Sequence, residues 1–169
     1  MKILYRLAAP LLLWLTLAGN ALAANQPVPW PANRPTPDIV LSDAAGRAWN
    51  LAEARGKVVI VNFWATWCEP CRTEMPSLQS LADLYGNELL VLAVNFKERD
   101  ARATQFARGA GISLPMPMDR DGSTAARWEV KIFPTSFIIG RDGKVKLRVT
   151  GEVDWTGREA AAWLEPLLK

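Results

Sequence analysis

Val58-Val59-Ile60-Val61-Asn62-Phe63-Trp64-Ala65-Thr66-Trp67-Cys68-Glu69-Pro70-Cys71 is the stretch on which the reading of this chain turns. Its first six residues form a short apolar run rich in β-branched side chains, the signature of a strand buried on both faces of a sheet, which predicts a central strand. Beyond Trp67, the residues Met75, Leu78, Leu81, Leu84 and Tyr85 recur at helical spacing until Gly86 breaks the pattern. A second buried strand is predicted over residues 89–95, which completes a βαβ unit.

The remaining elements follow in an order that limits the topology. Helices are predicted over residues 101–109 and 123–128, and a strand over 135–139 just after a proline. Arg141-Asp142-Gly143-Lys144 reads as a turn into a strand at 145–149, because Asp-Gly between β-rich runs signals a hairpin. Thr156 and Glu159 have the spacing of a capping box for a last helix presenting Trp163, Leu164, Leu167 and Leu168. The expectation is one α/β domain over residues 38–169, with a mixed central sheet flanked by helices. No internal repeat is evident.

The N-terminal part reads differently. Lys2 and Arg6 precede an apolar stretch at residues 7–18, and Ala21-Leu22-Ala23 offers the small-x-small pattern of a signal-peptidase site. Residues 1–23 are therefore expected to be an export signal, the alternative being an uncleaved membrane anchor. The apolar stretch is short for a span of about 20 residues, and Gly19 and Asn20 end it early, so cleavage is the preferred reading. Residues 24–37 hold Pro27, Pro29, Pro31, Pro35 and Pro37 and read as an extended linker or arm, either spacing the domain from a membrane or leading into it.

Composition removes several classes of function. The 169 residues carry a formal charge of +3, which falls to +1 without Lys2 and Arg6, and no basic run interleaved with aromatics points to nucleic acid. The chain contains no histidine, so mechanisms that need an imidazole are excluded, including Cys/His nucleophile pairs and His-ligated metals.

Cys68 and Cys71 are the only cysteines, placed between a buried strand and the start of a helix. Free backbone N–H groups and the positive end of the helix dipole there stabilise a thiolate on Cys68, the attacking species in disulfide exchange. Cys71 lies one turn further in, near enough to close a disulfide and less exposed. A zinc site would need two more ligands, with no His or Cys left to supply them. A purely structural disulfide would close too small a loop to constrain the unfolded chain much. No metal and no cofactor are expected.

The stretch from Val61 to Cys71 resembles the active-site strand and helix of thioredoxins, and more narrowly of exported TlpA/ResA/CcmG-like thiol–disulfide oxidoreductases. Ile132-Phe133-Pro134-Thr135-Ser136-Phe137 resembles that family's second signature, the cis-proline loop, and Gly140-Arg141-Asp142-Gly143-Lys144 the hairpin after it. The resemblance implies a thioredoxin-like fold and a cis Pro134 facing the cysteines, with the backbone of Phe133 pairing with an extended substrate. Trp67, Glu69 and Pro70 would lie on the same docking surface. Trp64 would mainly pack. Ordinary thioredoxins have a buried Asp where this chain has Asn62, which cannot take a proton from Cys71. Glu98, in Asn95-Phe96-Lys97-Glu98, resembles a Glu-bearing segment of ResA-like proteins and is the candidate base, unless it is simply a solvated strand-end charge. Glu69 beside Cys68 opposes thiolate formation and pushes the pair toward reducing behaviour.

What the resemblance implies is an enzyme of the periplasm that reduces disulfides of exported proteins, apocytochromes c among them, and is itself re-reduced by a membrane thiol transporter. An uncleaved signal would hold it at the membrane. The same chemistry could run as a general oxidant or isomerase. From another class, thiolates could serve a Cu(I) metallochaperone, a reading weakened by the lack of histidine. A peroxidase of peroxiredoxin type is disfavoured, because Val61 and Ala65 stand where the Pro and Thr of its cysteine signature would be.

Overall fold

The structure, a computed structural model, describes residues 25–169. The expected signal segment and its cleavage site lie outside the described residues. Eight strands are present among these residues: β1 (Val28–Pro29), β2 (Val40–Ser42), β3 (Ala48–Asn50), β4 (Val58–Trp64), β5 (Leu89–Phe96), β6 (Met118–Asp119), β7 (Thr135–Ile139) and β8 (Val145–Thr150). The helices are α1 (Glu69–Tyr85), α2 (Asp100–Ala110), α3 (Ser123–Arg127) and α4 (Arg158–Leu168). The main sheet has the order β1-β8-β7-β4-β5-β6, and β2 pairs with β3 in a separate hairpin.

β4 is central, as its composition requires: all seven of its residues are buried. It runs parallel to β5 and antiparallel to β7, and β7 runs antiparallel to β8, so the sheet is mixed. The two-residue period of the strand divides the core. Val58, Ile60 and Trp64 face a cluster that includes Cys71, Met75 and Leu78 of α1 and Trp155 and Leu164 near or in α4. Val59, Val61 and Phe63 face the opposite cluster, with Trp128, Phe137 and Ile39. Asn62 has the parity of Trp64, which places its side chain on the α1 side.

One expectation needs correction, and one is made specific. Thr156 and Glu159 do not form a capping box: α4 begins after Gly157 with no side-chain cap, and the Thr156 hydroxyl donates instead to Asp154 Oδ1 at 2.6 Å. Asp154 takes the Thr156 N–H as well, so that hydroxyl is held in the preceding turn. The proline-rich arm is also laid against the domain. Val28 and Pro29 pair with Arg148 and Leu147 of β8, and Trp30 meets Phe137 edge-on at 5.6 Å. Thr36 Oγ1 donates to the Gly143 carbonyl and accepts the Val145 N–H. The prolines bar a helix, yet they suit a short edge strand, where the missing donor faces away from the ladder.

Candidate active site

The site forms where β4 ends and α1 begins. Cys68 is the N-cap of α1, and its sulfur accepts the Cys71 N–H at 3.3 Å. The sulfur therefore sits where unpaired amides and the helix dipole favour negative charge. Glu69 and Pro70 complete the exposed start of the helix, and the missing N–H of Pro70 costs nothing in a first turn. The two cysteines are joined in a disulfide. Cys68 keeps 6% exposure and Cys71 none, which fits Cys68 as the attacking sulfur and Cys71 as the resolving one.

The loop carrying Pro134 reaches the same surface. The Phe133–Pro134 bond is cis, and Phe133 has no backbone hydrogen bond among the described residues, leaving its N–H and carbonyl free for a strand-like partner. The Phe133 ring packs against Phe96 at 4.8 Å and meets Trp67 edge-on at 5.6 Å. Trp67 is exposed, as is Ile132 next to Phe133, so an apolar rim adjoins Cys68. Trp64, by contrast, is fully buried, donates its indole N–H to the Ala93 carbonyl and packs on Phe106. Its role is packing.

Glu98 is brought close to the site but into a crowded setting. Its side chain is 4% exposed. One carboxylate oxygen accepts the Thr66 hydroxyl at 2.5 Å and faces Arg102 Nε at 3.4 Å. The other accepts the Thr66 N–H at 2.7 Å and the Asn95 amide at 2.9 Å. Arg102 Nε also donates to Thr66 Oγ1. Glu98 thus clamps Thr66, two residues ahead of Cys68.

Sequence reasoning passes over the other carboxyl of the site, Glu74. It lies three residues after Cys71 on α1, a spacing that stacks side chains on one helix face, and it is buried at 2% exposure. It accepts the Asn62 amide at 2.6 Å and the Val153 N–H at 3.1 Å, and no cation pairs with it among the described residues. Burial pushes its pKa up to about 8 despite those donors. At neutral pH it is mostly protonated and has a proton to donate. Asn62 Nδ2 also donates to Ser136 Oγ of β7, tying α1, β4 and β7 together under the cysteines. The signal that points to Glu74 is periodicity: Cys71, Glu74, Leu78 and Leu81 form one stripe, and an acid on an apolar stripe demands an explanation.

Comparison with known proteins agrees with this geometry. Residues 32–148 match the family model described as the AhpC/TSA family. A thiol-disulfide oxidoreductase ResA of Geobacillus thermodenitrificans is 38% identical over 145 residues, covering 83% of each chain. The thioredoxin-like protein YneN of Bacillus subtilis is 38% identical over 115 residues, covering 65% of this chain and 66% of its own. Among solved structures, a thiol:disulfide interchange protein DsbE from Chlorobium tepidum superposes with a TM-score of 0.74 at 30% identity, covering 80% of this chain and 96% of its own. With a helix-capping Cys68, a buried Cys71 and a cis-proline loop in place, the chain belongs to the AhpC/TSA family and is a thioredoxin-fold thiol–disulfide oxidoreductase of the ResA/CcmG/DsbE type.

Proposed function

We propose that the protein works as a dithiol reductase of disulfides in exported proteins, in the periplasm, with the haem-attachment cysteines of apocytochromes c as its substrate class. The observation that carries the reducing direction is Glu74, a buried and mostly protonated acid one turn beyond Cys71. When ionised it opposes a thiolate at Cys71, and Glu69 does the same beside Cys68, against the helix-end amides that favour one, so the two acids shift the pair toward reducing behaviour.

The Cys68 thiolate attacks one sulfur of the substrate disulfide, forming a mixed disulfide and expelling the other substrate sulfur as a thiolate that takes up a proton. Cys71 then loses its proton and attacks Cys68 Sγ. The second substrate thiolate leaves, and the enzyme is left oxidised as Cys68–Cys71. Two electrons have passed to the substrate and must be restored by a dithiol donor, for which a membrane thiol transporter is the expected source. The ionised fraction of Glu74 is the form able to take the proton that Cys71 gives up, and the protonated form can return one when Cys71 is reduced, since a pKa of about 8 leaves both forms present near neutral pH. Glu98 keeps residues 65–67 in position and, by its nearness to the loop, is the second carboxyl to test in proton exchange.

Equilibration with glutathione measures the direction. A potential below about −200 mV supports a reductase, whereas one near the DsbA value of about −120 mV would overturn it in favour of an oxidant. Cys68→Ser should abolish disulfide reduction, and Cys71→Ser should leave partners covalently bound to Cys68 for identification. Trapped apocytochromes would support the substrate class; a mixed set of unrelated exported proteins would replace it with a general reductase or isomerase.

A further inference from the structure

Beside the cysteines lies an open groove of about 800 Å³ that neither the disulfide chemistry nor the cis-proline loop explains. Its wall starts at exposed Trp67, the residue before Cys68, and continues along Lys97, Arg99, Arg102 and Gln105. The acids near it are already occupied. Glu98 is buried under Thr66, Asn95 and Arg102, and Asp100 is held by Arg120 through two hydrogen bonds of 3.0 and 2.6 Å. Lys97 and Arg99 form no ion pair among the described residues, and Arg102 engages the Thr66–Glu98 clamp only through Nε while its side chain stays 65% exposed. Lys97 is held at the rim: its backbone has φ +51°, and its ammonium sits 5.4 Å from the Phe96 ring centroid. Its aliphatic stem lies so close to Gly122 that a Cβ there would come within 2.3 Å of it.

We propose that this groove recognises acidic residues of the polypeptide substrate, so that the enzyme selects disulfides whose cysteine is flanked within about four positions by Asp or Glu. The inference rests on the dithiol reductase reading above and adds a preference for the residues that flank the attacked cysteine. An extended chain advances about 3.3 Å per residue, so a carboxylate two to four residues from the attacked cysteine reaches from Cys68 into the groove past Trp67. Three cations clustered beside the nucleophile raise the local concentration of such a segment and speed encounter more than they tighten the final complex. The groove is open and carries one aromatic side chain, Trp67, which gives an extended peptide a surface to lie along on its way to the cations.

The test uses the full reduced protein and three synthetic peptides, each with one internal disulfide and differing only in the flanking pair: Asp-Asp, Asn-Asn or Lys-Lys. Neutral hydroxyethyl disulfide serves as the reference. Stopped-flow oxidation of the enzyme should show the Asp peptide about 5- to 10-fold faster than the Asn peptide at low salt and the Lys peptide slower, with the spread collapsing near ~0.5 M salt. In the Lys97→Gln/Arg99→Gln double variant the Asp-to-Asn ratio should fall below about two, a ratio from which any general loss of activity cancels. Equal rates for the three peptides at low salt, or a ratio kept by the double variant, would overturn the groove assignment. So would an absent peptide preference combined with sedimentation on phosphatidylglycerol vesicles that the double variant loses, since the groove would then face a membrane. If wild-type protein reduces neither hydroxyethyl disulfide nor any peptide, the reductase reading itself fails.

Discussion

Glu74 and Glu98 are two glutamates with buried side chains, one on α1 three residues after Cys71 and one just past β5 against Thr66, and their surroundings give them different work. Glu98 meets donors at both oxygens, the Thr66 hydroxyl and Arg102 at one and the Thr66 N–H and Asn95 amide at the other. Glu74 receives one amide and one backbone N–H, has no cation partner among the described residues, and is buried on the α1 face that also carries Cys71 and Leu78. The first arrangement fixes a loop. The second leaves a mostly protonated acid three residues along α1 from the resolving cysteine. Burial alone does not make a proton carrier; what matters is whether the buried charge is compensated.

Glu74→Gln should break the comparison most visibly. The wild-type carboxyl has its pKa raised from about 4.5 to about 8, so the unfolded chain releases the proton at lower pH than the folded one. Stability is unaffected below about pH 4.5, declines as pH rises through the window up to about 8, and levels off above it. The Gln variant lacks this decline and should be the more stable protein at pH 9 by a few kcal/mol, with little difference at pH 4. Urea unfolding of both oxidised proteins across pH measures it. In the reduced protein the same change should slow resolution of the mixed disulfide by about tenfold or more and flatten its pH–rate profile near 8. Superimposable stability and rate profiles would show that Glu74 is not the titrating group.

Glu98→Gln should behave differently in kind. The amide keeps one acceptor oxygen but turns a donor toward the Thr66 and Asn95 donors, leaving one of them unsatisfied. The expected cost is about 1–3 kcal/mol of stability. Its pH–rate profile should parallel wild type, with the rate lowered across the range by a misplaced residue 65–67 loop. A Glu98→Gln profile that lost its dependence on pH instead would move the proton role to Glu98.

Much of the fold and half of the site are legible in the amino-acid sequence. A β-branched run followed by CxxC and a helical stripe defines the strand, the helix N-cap and both reacting sulfurs, because these depend on short-range pattern. The arm is harder: prolines exclude a helix but do not say that Val28 and Pro29 will pair with β8, a partner over a hundred residues away in the chain. Thr156 and Glu159 have capping-box spacing, yet Asp154 competes for the same hydroxyl at closer range. Glu98 is marked out by resemblance, whereas Glu74 stands inside the active-site helix with only its place on an apolar stripe to distinguish it. Its importance lies in Asn62 and Val153, donors from distant segments, and in the burial that raises its pKa.

Arg102 offers the finest test of the comparison, with the smallest effect. If Glu98 differs from Glu74 because a cation neutralises it, Arg102→Gln should cost as much as Glu98→Gln. The geometry argues otherwise. Arg102 Nε stands 3.4 Å from the carboxylate, farther than Thr66 N–H at 2.7 Å, the Thr66 hydroxyl at 2.5 Å and the Asn95 amide at 2.9 Å. Its side chain is 65% exposed, so solvent screens much of the attraction. Removing it should therefore cost about 1 kcal/mol, from an exposed ion pair and one hydrogen bond to Thr66 Oγ1, and raising the salt concentration should shrink the ion-pair part. Denaturant unfolding of wild type, Arg102→Gln, Glu98→Gln and the double variant forms a complete cycle. A small coupling between the two sites would mean that neutral donors from Thr66 and Asn95 hold Glu98 in place. A coupling as large as the whole Glu98→Gln effect would make Arg102 the feature that separates the two glutamates.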